Sequence, residues 1–220
     1  MNVLEDAEGL NDLRRLGARS IPVLSRGDQW VFAQNITSVV KFLDLNEATG
    51  PVLSPDQLVR RLDLFLSTAA RIIRQMPDAH LPTEVPNRPR SYQILSHHIF
   101  RIPEVFLTVA RGGMLTHESL GEGPTAAMTG FAAIADFGDT VRADLNAWWD
   151  AKSDKSGKET VQTYYGDQSL HEVLERTTWH AGQHVRQWHM LLGMAGIPVD
   201  RPLDDTAFKD LPMPSSVWDG

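Results

Sequence analysis

Four stretches of this chain repeat apolar residues at helical spacing, and two of them open on a capping box. No other feature restricts the fold as strongly. In "SPDQLVRRLDLFLSTAARIIRQM" the Ser54 hydroxyl and the Gln57 amide can each satisfy a backbone N–H, and Pro55 suits the first helical position. Leu58, Leu62, Phe65, Ala69, Ile72 and Met76 then line one helical face. Ser169 and Glu172 form a second box, opening a helix that ends near "GMAG". Between these two, a helix over about 91–110 contains Pro103, which should kink or restart it, and Gly112 and Gly113 end it. Another, over about 124–151, runs through Met128, Phe131, Ile134, Phe137, Val141, Leu145 and Trp148. Long amphipathic helices bury their stripes against one another. The expected fold is therefore mainly α, a four-helix up-down bundle over residues 52–198, with any site formed by inward-facing side chains.

The flanks read differently. Residues 1–46 form a small N-terminal α/β appendage. Leu4, Leu10, Leu13 and Leu16 mark a short helix ended by Gly17, and two β-rich runs, 21–24 and 30–33, flank "SRGDQ" as a hairpin. Thr37 is placed to cap a short apolar helix in "NITSVVKFLDL". "NEATGPVLSP" is a linker. Residues 199–220, with Pro202, Pro212 and Pro214, read as an extended tail across the bundle or a partly disordered one. The long polar connection "KSDKSGKETVQTYYGDQ" holds a short strand at 161–165, and long loops in compact domains often carry function.

Composition excludes several chemistries. There is no cysteine, so disulfides, thiolate metal sites and cysteine nucleophiles are ruled out, and a metal would need His, Asp or Glu. The net charge is −7 and basic residues nowhere exceed a pair or triplet, which argues against a nucleic-acid partner. No apolar run approaches the roughly 20 residues that span a bilayer. The acidic start "MNVLEDAEGLNDLRR" does not resemble a secretory signal, so the expected compartment is the cytoplasm, without a membrane partner.

Three of the 8 histidines stand out. On the last helix the stripe reads Leu170, Val173, Leu174, Thr177, His180, Ala181, His184, Trp188, Leu191, which puts two imidazoles one turn apart on the core-facing side. They are either core histidines satisfied by hydrogen bonds or metal ligands. His171 and His189 point elsewhere. In "SYQILSHHIFRIPEVFLTV" the stripe Ile94, Leu95, His98, Ile102, Val105, Phe106, Val109 contains His98, whereas His97 shares a face with Arg101 and Glu104 and is expected at solvent or a loop. Three stripe histidines on two helices favour a metal site over packing. Three neutral nitrogens suit zinc, nickel, iron or manganese and leave positions open for substrate. Gln183 and Gln187 flank the pair. Gln187 either touches a bound ligand or is a polar residue at the rim of the core.

"LSHHIFRIPE", followed far downstream by "WHAGQHVRQ", resembles the DinB-like superfamily, also called DinB/YfiT-like. The resemblance covers residues 52–198. It implies a four-helix bundle with one histidine on the second helix and an H-x-x-x-H pair on the last, so that His98, His180 and His184 are the ligands of a divalent metal, zinc first. It also implies frequent homodimers. Members include mycothiol-dependent maleylpyruvate isomerase and bacillithiol S-transferases. The segment "EDAEGLNDLRRLGARSIPVLSRGDQWVFAQNITSVVKFLDL" is similar to the C-terminal half of a glutaredoxin, without the front half and without cysteine. In that likeness Pro22 is the cis-proline, and Ile21, Pro22, Gln34, Asn35 and Thr37 match positions that hold glutathione. The alternative is a structural cap or a dimerisation element.

The leading expectation is a metalloenzyme that uses glutathione or another low-molecular-weight thiol to transfer, isomerise or eliminate on a small organic substrate. Tyr164, Tyr165 and Gln187 are candidates for acid, base or orienting roles. Two alternatives share the histidines: a thiol-independent metal-dependent hydrolase or lyase, and a non-catalytic metal-binding stress protein.

Overall fold

The computed structural model describes residues 6–18, 21–33, 36–47, 49–86 and 89–218. The chain divides into two compact units, Met1–Gly50 and Pro51–Gly220.

In the first unit, α1 (Ala7–Arg15) starts at Asp6, whose carboxylate accepts hydrogen bonds from the N–H groups of Glu8 and Gly9. Strands β1 (Val23–Arg26) and β2 (Gln29–Phe32) pair antiparallel with Val23 opposite Phe32, so the hairpin lies where the turn residues place it. The Ile21–Pro22 peptide bond is cis. The Pro22 carbonyl accepts from the Ala33 N–H at 2.9 Å. Helix α2 (Ile36–Phe42) already includes Thr37, which is therefore a helical residue and not its cap. The Arg26 guanidinium lies 5.4 Å from the centre of the Phe42 ring.

The second unit is mainly helical, with a small sheet. Its elements in order are α3 (Pro55–Ile73), α4 (Tyr92–Ala110), β3 (Met114–Leu115), α5 (His117–Gly121), α6 (Phe131–Ala151), β4 (Thr160–Thr163), β5 (Gly166–Ser169) and α7 (Leu170–Met194). Both capping boxes are made, at Ser54 with Gln57 and at Ser169 with Glu172. Helices α3 and α4 each pack against both α6 and α7. The core between them holds Leu62 and Phe65 of α3, Phe100 of α4, Ile134 of α6 and Trp188 of α7, all fully buried. Each such side chain stabilises by roughly 1.5–3 kcal/mol on leaving water. The Trp188 ring is met edge-on by Tyr92 and Phe131 at centroid distances of 5.9 and 5.6 Å.

One expectation changes, and at Pro103 one of two alternatives drops out. Helix α6 begins at Phe131, not near residue 124, because its first turn is capped from outside. The Asp78 carboxylate accepts from the Phe131 N–H at 2.9 Å, and a Cβ on Gly130 would stand 2.7 Å from that carboxylate. Helix α4 runs through Pro103 without restarting. Buried Phe100, Ile102, Val105 and Phe106 on both sides of the proline offset its helix cost of about 3 kcal/mol.

The sheet pairs β3 parallel to β4 and β4 antiparallel to β5. Tyr164 and Tyr165 form the β4–β5 turn. The residues after α7 pack back onto the helices. Phe208 stacks on Phe65 at 5.3 Å, and Arg61 donates to the Thr206 carbonyl at 2.6 Å. Across α3 and α6, Asp63 accepts from Arg142 at 2.7 and 3.0 Å and from Asn146 at 2.7 Å. Burial works against its ionisation, but those hydrogen bonds outweigh burial and hold the carboxyl below its ordinary range. Among the described residues, no helix is long and apolar enough to cross a membrane.

Helices α4 and α6 meet closely at Gly138, where an added Cβ would lie 2.3 Å from the ring of buried Phe100. Gly138→Ala is expected to lose roughly 1–3 kcal/mol by overpacking, although alanine is the better helix former by about 1 kcal/mol. Chemical denaturation reads this directly, and a variant as stable as the parent would contradict the close approach.

Candidate metal centre

His98 projects from α4, and His180 and His184 from α7, two helices that pack together. One nitrogen from each ring lies within 4.8 Å of the other two, close enough for the three to hold one metal ion. The ring centroids are 5.6 Å apart for His98 and His180, 5.2 Å for His98 and His184, and 4.8 Å for His180 and His184. Tetrahedral zinc at about 2.0–2.1 Å per nitrogen needs nitrogens about 3.3 Å apart, so zinc there would require the rings to move inward.

A hydrogen bond sets which nitrogen of His184 faces the centre. The Gln187 amide N–H donates to the Val217 carbonyl at 3.0 Å, which turns the amide oxygen toward His184. That oxygen lies 2.7 Å from His184 Nδ1, so Nδ1 carries the proton and donates, and the Nε2 lone pair is the one offered to a ligand. The backbone of Leu120 lies near His98 and favours its charged form, against the effect of burial. Arg101 pins that segment by donating to the Ser119 carbonyl at 2.8 Å and pairing with Glu122 at 2.6 Å. His180 is covered by the neighbouring indole of Trp179, stacked at 5.5 Å.

The same packing keeps the imidazoles uncharged. Burial, then the neighbouring His184 and Arg90, push His98 down to about 2. Burial, then His184, His98 and Arg176, push His180 well below its ordinary value. At neutral pH both are neutral and have a lone pair to give, the state that metal ligation requires.

Beside the histidines lies a cavity of about 220 Å³. Its walls include Val85, Leu95, Trp179 and Trp218, and Arg90 also faces it. Gln183 and Gln187 line it too, but both are buried and held by the C-terminal segment, Gln183 donating to the carbonyls of Ser216 and Val217. Gln187 therefore meets the centre through His184, as an orienting group.

The other candidates fall elsewhere. His97, expected at solvent or a loop, is 4% exposed and stacks on Phe137 of α6 at 5.3 Å. It serves the α4–α6 contact and does not join the three histidines. Tyr164 and Tyr165 are not among the cavity's lining residues. Tyr164 meets His117 at 5.7 Å, and Arg176 lies 5.1 Å from the Tyr165 ring. Ile21, Pro22 and Thr37 belong to the first unit. Gln34 and Asn35 lie outside the described residues.

Sequence reasoning missed Arg90 and Trp218. Arg90 directly precedes Ser91, the cap of α4, and its position before the His98 helix was a usable signal. Trp218 belongs to the tail, and nothing local points to it. No known family model matches the chain, and no curated protein matches it.

Gln187→Leu removes the acceptor of His184 Nδ1 at nearly constant volume. Zinc affinity, read by competition against a chromogenic chelator, is expected to fall about 10–100-fold. Unchanged affinity would mean that Gln187 does not orient the ring.

Proposed function

We propose that the chain is a metal-dependent enzyme on a DinB-like four-helix bundle. His98, His180 and His184 hold a divalent ion, and a small organic molecule is processed in the adjoining cavity with a thiol of the glutathione type. The observation that carries this reading is the convergence of three neutral imidazoles from α4 and α7. For one of them, a hydrogen bond to Gln187 sets the ring orientation. Structural histidines have no need to bring their nitrogens together. Three nitrogen donors without a thiolate suit zinc best, with nickel, iron or manganese as further fits.

A divalent ion held there supplies Lewis acidity to a carbonyl or thiol of the bound molecules. The chain's own residues do the rest. Val85, Leu95, Trp179 and Trp218 exclude water from the cavity. Gln187 keeps His184 aimed. Among the described lining residues there is no carboxylate, hydroxyl or thiol to act as a nucleophile or base. With the histidines ligating, the attacking group is a second molecule, either a cosubstrate or water. The first unit supports a thiol in that role through its likeness to the glutathione-holding half of a glutaredoxin.

Elemental analysis of the purified full chain is expected to find about one divalent metal per chain, and little in His184→Ala that keeps its helical circular dichroism. Equal metal in the variant defeats the ligand assignment. Glutathione added to the metal-loaded protein at about 100 times its Kd should stabilise by about 2.7 kcal/mol, which raises Tm by several degrees. If no thiol shifts the Tm, the cosubstrate is dropped and a thiol-independent hydrolase or lyase replaces it.

A further inference from the structure

We infer that Trp218 decides which molecules reach the histidine centre, by setting the size of the cavity beside it. This rests on the metal-enzyme reading above and adds to it what limits the substrate.

Segment 214–218 forms neither helix nor strand. Its backbone therefore makes no ladder of its own, and something else must hold it in place. One face of α7 does so. Gln183, Arg186, Gln187 and Met190 follow one another there at spacings of three and four residues. Gln183 donates to the carbonyls of Ser216 and Val217 at 3.0 and 2.6 Å, and Gln187 to that of Val217 at 3.0 Å. Arg186 donates to the Pro214 carbonyl at 2.8 Å. The Trp218 indole N–H donates to Met190 Sδ at 3.2 Å. Gln183 and Gln187 are buried, so undocking the segment would leave two buried amides short of an acceptor, at a cost.

The bonds from Gln183, Arg186 and Gln187 go to backbone carbonyls, which every residue carries. Of the described residues in the segment, Trp218 alone lines the cavity. The Gln187 oxygen that lies 2.7 Å from His184 Nδ1 belongs to the same amide that holds Val217. The indole is thus one residue away from a backbone group tied directly to a proposed ligand. Its one N–H is spent on Met190, so Trp218 has no donor left for a bound molecule and acts by bulk.

Bulk matters in a space this small. The cavity holds about 220 Å³, below the roughly 300–1,000 Å³ of ordinary ligand pockets. Trp179 is the other large wall, but it stands on α7 and stacks on His180 at 5.5 Å. Altering Trp179 would disturb a proposed ligand. Trp218 comes from outside the long helices, so its size can change while the three histidines keep their places.

The test uses the full chain loaded with cobalt, whose visible absorption reports on molecules bound at the centre. Two probes are compared, imidazole and imidazole carrying a biphenyl group. In Trp218→Ala the ratio of their Kd values is expected to move roughly tenfold in favour of the larger probe. Trp218→Phe, which keeps a ring, should fall between parent and alanine variant. A tryptophan that only braces the fold would lower Tm on substitution and leave the ratio alone. An unchanged ratio, or failure of imidazole to bind the parent, overturns the inference. If the chain takes up no cobalt, the metal reading fails separately, and chemical modification of the metal-free chain decides the role of Trp218. Diethyl pyrocarbonate acylates neutral imidazoles, and peptide mass analysis gives the rate at each histidine. Faster reaction at His180 and His184 in Trp218→Ala, with the rate at buried His97 unchanged, supports the wall. No acceleration, or an equal one at His97, overturns it.

Discussion

Three imidazoles packed side by side inside a protein have to remain neutral, and much of the second unit follows from that. Burial supplies most of the effect at His98 and His180, and each ring disfavours a proton on its neighbours. A neutral imidazole, however, still has one N–H that needs an acceptor. His184 finds it in Gln187. That acceptor is fixed in turn by the Val217 carbonyl.

The helices make this affordable in space. Gly182 lies between His180 and His184 on α7, where a Cβ would come within 2.8 Å of buried Phe65. With glycine there, α7 can lie close to α3 on one side while presenting His180 and His184 to α4 on the other. Ala181, Val185 and Trp188 around them are fully buried, so the rings project from a rigid stem.

What could be read from the sequence was whatever local chemistry decides. The capping boxes at Ser54 and Ser169, the turn between β1 and β2, and the histidine spacing on α7 all lie within a few residues of the elements they govern. The start of α6 was not legible, because its cap, Asp78, lies 53 residues away. His97 was misplaced for a related reason. Helix α4 packs against both α6 and α7, so two adjacent faces are buried, and a single apolar stripe describes only one of them. Arg90 and Trp218 reach the cavity from segments outside the long helices, where periodicity gives no direction. Tyr164 and Tyr165 suggested acid–base chemistry by residue type, yet the turn that carries them faces His117 and Arg176.

The hydrogen bonds to Val217 have a consequence for how the molecule is made. The centre draws on Arg90, then His98, then α7, and last on the segment that runs past the helix to Trp218. During synthesis the first ligand is exposed long before its partners exist, and the ring of His184 is oriented only after residue 217 has docked. Assembly of the site is therefore a late event. An ion proposed to sit there would enter a nearly finished fold.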